Sequence, residues 1–241
     1  MIQAIDLSKK YGEHEVLTDL NLTISSGEVF CLLGANGAGK TTTINLFMGF
    51  IQPSSGKAKV NDLDVTTQSS ETKNHLAYIP ENLNLYGNLT GLENLQFFAG
   101  LGGEKPDKSA AEQLLRSVGL QQEALNKYVS QYSKGMRQKV GIAIAKAKQA
   151  DNLLLDEPTS GLDPQASNDF ARLLQDMRQN NVAILMATHD LFRAKESGTH
   201  IGIMKAGKLI HSLKSDDITT AELEKLYLET MKTESYATTS R

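Results

Sequence analysis

The first third of the chain alternates short apolar runs with turn-forming residues. Ile2 to Leu7, Leu20 to Ile24, Val29 to Leu33 and Lys57 to Val60 are separated by Tyr11-Gly12, Ser25-Ser26-Gly27 and Pro53-Ser54-Ser55-Gly56. Runs of this length bounded by Gly, Pro and Ser predict strands, here in a partly antiparallel sheet. A helix is expected to follow at Gly39, carrying Ile44, Leu46, Phe47 and Met48. Between about residues 90 and 148 the apolar spacing changes. Leu92, Leu95 and Phe98, then Leu114, Leu115 and Val118, then Met136, Val140 and Ile144 recur near the helical period, which predicts a helical lobe inserted into an α/β core. Asn152 to Leu155 and Val182 to Met186 are apolar without alternation and end in polar residues, as suits parallel strands covered on both faces. Pro164 to Arg178 is the expected crossover helix between them, giving an open, doubly wound sheet. Thr220 to Lys232 predicts a short polar helix, and Thr233 to Arg241, without apolar periodicity, a disordered tail.

Composition narrows the class without naming a partner. A chain of 241 residues suits one large domain, or one domain with an inserted lobe. At 40% hydrophobic and 22% charged residues it reads as globular. The net charge of -3 offers no long-range attraction for nucleic acid or anionic lipid, so a polyphosphate must be held by a local site. No run of 18 apolar residues occurs, and the N-terminus lacks the basic start and apolar stretch of a secretory signal, so a cytoplasmic location is expected. The single cysteine, Cys31, lies within an apolar run and is expected to be a buried core thiol.

Gly34-Ala35-Asn36-Gly37-Ala38-Gly39-Lys40-Thr41 fits G-x-x-x-x-G-K-[ST] between an expected strand and an expected helix. Crowded phosphate oxygens require close backbone N–H groups, and side chains at Gly34, Gly37 and Gly39 would obstruct them. The helix that begins here adds its positive dipole end. Lys40 is placed to reach the β- and γ-phosphates of a triphosphate, and the Thr41 hydroxyl to ligate Mg²⁺; Asn36, Ala38 and Thr42 belong to the same binding loop. Further on, Leu153-Leu154-Leu155 ends in Asp156-Glu157, adjacent acids that a strand points to opposite faces. Asp156 is placed to hold Mg²⁺, directly or through its water, and Glu157 to orient and deprotonate an attacking water. An isolated acidic pair would read as a solvated strand end; the phosphate loop favours the chemical role.

Taken together, Asp156-Glu157-Pro158-Thr159-Ser160-Gly161-Leu162-Asp163, Tyr132-Ser133-Lys134-Gly135-Met136 upstream and Thr188-His189-Asp190 downstream resemble an ABC ATPase, over Ile2 to about Ile210. The resemblance implies a P-loop NTPase core of the RecA-like α/β class, with an antiparallel β subdomain and an inserted helical subdomain. An ABC ATPase domain is expected over 1–232, with core and β subdomain at about 1–85 and 150–215, helical subdomain at about 86–149, C-terminal helix at about 216–232 and tail at 233–241. It implies ATP and Mg²⁺ as cofactors and hydrolysis of ATP. It also implies two domains packed head to tail, each ATP lying between the P-loop of one copy and the signature loop of the other. Ser133 and Gly135 match signature positions that bond the γ-phosphate across the interface. Asp163 matches the acid of the D-loop that couples the two sites, His189 the switch histidine, and Tyr11 the aromatic that stacks on adenine. Each has a plainer reading alone: a helix start, a polar cap, a strand aromatic.

Two departures stand out. Where the family usually has glutamine after proline, the chain reads Pro80-Glu81, and a carboxylate, a better Mg²⁺ ligand than an amide, cannot donate a hydrogen bond. Glu81 is expected to couple metal to a membrane partner. Lys134 replaces the first glycine of the usual signature, either as a cation near the second copy's nucleotide or as a solvated lysine. Both variants resemble ABC-2 type ATPases, whose permeases are separate chains and mostly export; among these the likeness to the subunit supporting copper supply to nitrous-oxide reductase is noticeable but names no cargo. The expected assembly is a homodimer, or a heterodimer with a degenerate partner, on the cytoplasmic face of the membrane beside a transmembrane permease subunit, without nucleic acid. Rival readings are a ribosome- or DNA-directed ABC ATPase, disfavoured by the lone P-loop and the lack of a basic cluster, and a small-molecule kinase, which leaves the signature unexplained.

Overall fold

Antiparallel pairing begins the chain in the computed structural model, which describes residues 1–232; the tail expected at 233–241 lies outside the described residues. β1 (Ile2–Tyr11) pairs with β2 (His14–Ile24) around a turn at Gly12, whose φ of 59° suits glycine. β2 is longer than its apolar half, Leu20 to Ile24, and its register against β1 shifts at irregularities that polar groups help to satisfy. Ser8 Oγ donates to Asp19 Oδ1 at 3.1 Å and accepts from Asp19 N at 2.9 Å. β3 (Val29–Leu33) follows, then α1 (Lys40–Phe47), β4 (Ser55–Val60) and β5 (Leu63–Asp64). The order β2-β1-β4-β5 completes a four-stranded antiparallel sheet.

α2 (Ser69–His75) leads into β6 (Leu76–Ile79). Helices then dominate: α3 (Gly91–Leu101), α4 (Lys108–Ser117), α5 (Gln122–Leu125), a 3₁₀ turn at Val129–Gln131 and α6 (Lys134–Ala147). α3 starts on a reciprocal cap in which Thr90 and Glu93 each accept from the other's backbone N–H. The strand–helix alternation resumes with β7 (Asn152–Asp156), α7 (Pro164–Gln179), β8 (Ala183–Thr188), α8 (Leu191–Ser197) and β9 (His200–Lys205). β10 (Lys208–Lys214), a 3₁₀ turn at Ser215–Asp217 and α9 (Thr220–Lys232) end the described chain. No helix among the described residues is long and apolar enough to cross a membrane.

The second sheet has the order β10-β9-β3-β8-β7-β6, parallel except for β10. Its register aligns Leu33 with Thr188, Asp156 with Ala187 and Ile79 with Leu155. The carboxyl ends of β3, β6, β7 and β8 therefore lie along one edge, where open parallel sheets bind ligands. Both faces are covered. Val29, Cys31, Leu33, Leu153 and Leu155 join the helical segment's Leu95, Leu115 and Val140 in one core, while Phe30, Leu32 and Leu154 join α1 and the first sheet in another. Cys31 is fully buried, and burial pushes its thiol pKa up, out of the reactive range. Truncating one of these buried residues to alanine costs about 2–5 kcal/mol, so such variants report on folding and not on the site.

Candidate functional site

Four segments meet at that edge because each follows directly from an aligned strand end. The loop after β3 runs Gly34–Gly39 into α1, whose start has no side-chain cap. Gly39 takes φ 105°, and a Cβ there would lie 2.9 Å from Val16 O, so the turn admits glycine alone. Gly34 is excluded from carrying a side chain by closeness, since its Cβ would sit 2.6 Å from Met204 O. Lys40 is only 6% exposed; its Nζ donates to Gly34 O at 2.6 Å and Ala35 O at 3.2 Å, and lies 3.5 Å from Glu157 Oε1.

Asp156 and Glu157 occupy the end of β7. Asp156 is nearly buried beside the Thr41 side chain, and its Oδ1 is buried without a partner. Its pKa is raised above the usual carboxylate range, chiefly by desolvation; Glu157 and Glu81 add to this, and Thr41 and Lys40 oppose it. Glu157 adopts φ 46°, held there as its N–H donates to Ala187 O at 2.9 Å. Its Oε2 accepts from His189 N at 3.2 Å and faces His189 Nδ1 at 2.9 Å. Its Oε1 is buried without a hydrogen bond, the Lys40 ammonium being near but not aligned. Glu81, just past β6, accepts from Ser160 Oγ at 3.0 Å.

These side chains wall a cleft of ≈ 370 Å³ lined by Asn36, Gly37, Ala38, Gly39, Lys40, Thr41, Thr42, Glu81, Asp156 and Glu157, with His14 and Val16 from β2. His14 and Val16 carry no motif; only the pairing of Tyr11 with His14 across the hairpin connects them to the residue that sequence singles out. Tyr11 itself is 51% exposed beside this wall and not part of it, with the Lys9 ammonium 4.9 Å from its ring centre. A larger cleft of ≈ 790 Å³, lined by Ser26, Asn61, Lys146, Asp151 and Asn180 among others, contains none of the candidate residues. Size alone would point away from the candidate residues.

Ser133, Gly135 and Asp163 do not line the phosphate-loop cleft of their own chain. Ser133 caps α6, its Oγ accepting from Met136 N at 3.2 Å, and Asp163 caps α7, accepting from Ala166 N at 2.8 Å. The two helix starts touch, since a Cβ on Gly135 would be 3.1 Å from Ala166 Cβ.

The residues fit a triphosphate with a hard cation. Among the described residues no group of three or more His, Cys, Asp or Glu is arranged to hold a metal by itself. Yet Thr41 and the orphaned Asp156 oxygen offer the one or two oxygen ligands that Mg²⁺ takes when phosphates and water supply the rest.

Residues 17–160 match the ABC transporter family. The chain is 36% identical over 219 residues to the bacitracin transport ATP-binding protein BcrA of Bacillus licheniformis, covering 90% of this chain and 71% of that one. It is 34% identical to the probable multidrug ABC transporter ATP-binding protein YbhF of Escherichia coli (strain K12), covering 90% of this chain but only 38% of that longer relative. Among solved structures, an ATP-binding subunit of an ABC transporter superposes with a TM-score of 0.84 at 30% identity, covering 96% of this chain and all of that one. The dimeric post-hydrolysis ATP-binding cassette MJ0796 with ADP and Pi superposes with a TM-score of 0.79 at 25% identity, covering 89% of this chain and 99% of that one. The chain belongs to the ABC transporter family, as an ATP-binding subunit that hydrolyses ATP.

Proposed function

We propose that two copies of this chain close head to tail over two Mg-ATP molecules and drive a separate membrane permease of the ABC-2 type, as an export engine on the cytoplasmic face. The observation that carries the pairing is the division of the site. Lys40, Thr41, Asp156 and Glu157 gather in one cleft, whereas Ser133 and Gly135 lie at the start of α6 outside it. A phosphate held in that cleft meets the signature only if a second chain brings it, and the MJ0796 cassette, of related fold, is dimeric.

Phosphate oxygens, as charged acceptors, compete with the Gly34 and Ala35 carbonyls for the Lys40 ammonium. Thr41 and Asp156 would hold Mg²⁺, which neutralises charge building on the phosphates. Glu157, which lines the cleft, accepts the proton of the attacking water; its Oε1 has no hydrogen bond of its own, while His189 holds Oε2. His189 then senses the γ-phosphate, Ser133 and Gly135 seal it from the other copy, Asp163 links the two sites, and Tyr11, exposed beside the cleft, stacks on adenine.

Coupling to the permease runs through Glu81 and the segment from Leu83 to Phe98. There Tyr86, Phe97 and Phe98 form a half-exposed aromatic group next to a groove lined by Asn82, Leu83 and Arg137. The Pro80-Glu81 and Ser133-Lys134-Gly135-Met136 variants support the ABC-2 assignment, and relatives named for bacitracin transport and multidrug transport favour a transport role.

Glu157→Gln tests the site. Turnover is expected to fall roughly 100-fold or more, while Mg-ATP traps a dimer visible by gel filtration. Phosphate release at the original rate contradicts the assigned base, and hydrolysis by a strict monomer indifferent to Ser133 and Gly135 contradicts the pairing.

A further inference from the structure

α6 and α7 run side by side in the same direction and in register. Lys139 lies six residues after the cap Ser133, and Asp169 six residues after the cap Asp163; their side chains pair at 3.0 Å. Seven residues further along both helices, about 10 Å at the helical rise, Lys146 pairs with Asp176 at 2.5 Å. At the N-terminal end the small residues Gly135 and Ala166 let the backbones approach. One side chain is less than one-third exposed in both pairs, and Asp169 is further held as Gln165 Nε2 donates to its Oδ1 at 3.0 Å. The Lys139 contact pulls the Asp169 carboxyl below its ordinary pKa, which favours its ionised form.

Neither helix needs these bonds for its own hydrogen bonding. α6 belongs to the helical segment and α7 to the strand–helix alternation around β7 and β8, so the two ion pairs tie one unit to the other. Their equal offsets fix the height of the Ser133 cap against the Asp163 cap. Two parallel helices also place like-signed dipole ends together, an arrangement that opposes close alignment unless something holds it.

We propose that the Lys139–Asp169 and Lys146–Asp176 pairs are positioning residues for the shared ATP site: a two-rung ladder that holds the signature start at the level of the D-loop, so that both meet the second copy together. This rests on the two-copy reading. The residues act through Ser133 and Asp163 and touch no nucleotide. Breaking the ladder therefore lowers closure and turnover while leaving nucleotide binding to the chain's own P-loop alone.

The test is a charge-reversal cycle, with Lys139→Glu, Asp169→Lys and the double swap, and the same three changes at Lys146 and Asp176. Hydrolysis at saturating ATP is expected to fall about three- to tenfold in each single reversal and to recover at least half in each swap. In a Glu157→Gln background the ATP-trapped dimer weakens in step, whereas Mg-ATP affinity measured at concentrations where the chain is monomeric stays within about twofold. Unchanged turnover and trapping in the single reversals overturn the proposal, as does a parallel loss of monomer ATP affinity, or a folded swap that recovers nothing. Should a reversal fail to fold, Lys139→Gln and Asp169→Asn carry the same readouts. Ser133→Ala, run alongside, separates the two ideas. If it too leaves turnover and trapping intact, the two-copy reading fails; if it abolishes them while the ladder variants do not, only the ladder fails.

Discussion

The starts of α1 and α6 serve the same phosphate in the proposed cycle, yet they are built in opposite ways. α1 follows a glycine at φ 105°, has no side-chain cap, and sets a nearly buried lysine at its first position. α6 begins with a serine whose Oγ already accepts from Met136 N. The first four N–H groups of any helix lack intrahelical acceptors. At α1 the loop leaves this deficit for a ligand to satisfy; at α6 the chain satisfies part of it itself. One end is a preorganised receptor that is complete within the chain. The other is a capped surface that, in the proposed cycle, gains its function only against a second copy.

Lys40→Ala breaks the comparison on the α1 side and has the largest expected effect. Mg-ATP affinity and phosphate release should both fall, the latter about 100-fold or more, even in dilute monomer. Isothermal titration and a phosphate-release assay report the two separately. A loss confined to conditions that favour dimers would show that α1 is no more self-contained than α6.

Asp156→Asn asks what the receptor end costs. A carboxyl whose folded pKa lies above its ordinary value of 3.8 binds its proton more tightly in the folded chain than in the unfolded one. Ionised Asp156 therefore destabilises the fold: the penalty is absent below pH 3.8, grows as pH rises toward the folded value and stays constant above it. At neutral pH the asparagine variant should melt about 2 °C higher without nucleotide while losing roughly 10- to 100-fold in Mg²⁺-dependent hydrolysis. An unchanged or lower melting temperature would mean that Thr41 and Lys40 already offset the burial.

The same contrast marks what the sequence could reveal. α1 and its loop were legible because glycine spacing is dictated by local backbone geometry, and β7 and β8 because double burial leaves unbroken apolar runs. α7 was legible from Pro164 and its amphipathic spacing, within one residue of its observed end. The four residues of β6, Leu76–Ile79, are too few to show a period, and β9 mixes His200 and Gly202 into its apolar run because the sheet decides its conformation. The exposed alternation of β10 gave no sign that it would pair antiparallel at an edge. In the candidate site, motif spacing pointed to Lys40, Thr41, Asp156 and Glu157, which line one cleft. His14 and Val16 stayed hidden because they reach the cleft through hairpin pairing. The alignment of α6 with α7 is likewise a tertiary fact, invisible until both helices are placed.

Glu81→Ala probes a residue that faces both regions, lining the α1 cleft and accepting from Ser160 on the loop that leads to Asp163. Hydrolysis is expected to need more Mg²⁺ and to lose its stimulation by the permease, about tenfold together. Glu81→Gln keeps an acceptor for Ser160 Oγ and should fall between the two. If alanine leaves Mg²⁺ dependence and stimulation unchanged, Glu81 does not couple metal to the membrane partner.

Lys134→Gly has the smallest expected effect and sharpens the α6 side. Lys134 is the first residue of α6, where the dipole disfavours a cation, and it makes no ion pair among the described residues. A lysine at such a position has either an anion to meet across the proposed interface or no electrostatic task at all. The first alternative predicts that ATP-dependent dimerisation of the glycine variant weakens about threefold at low ionic strength. That difference should vanish near 1 M salt, where the screening length shrinks to about 3 Å. Identical dimerisation of the two proteins at low salt, followed by sedimentation, would leave Lys134 a solvated side chain and assign the sealing of the nucleotide to Ser133 and Gly135.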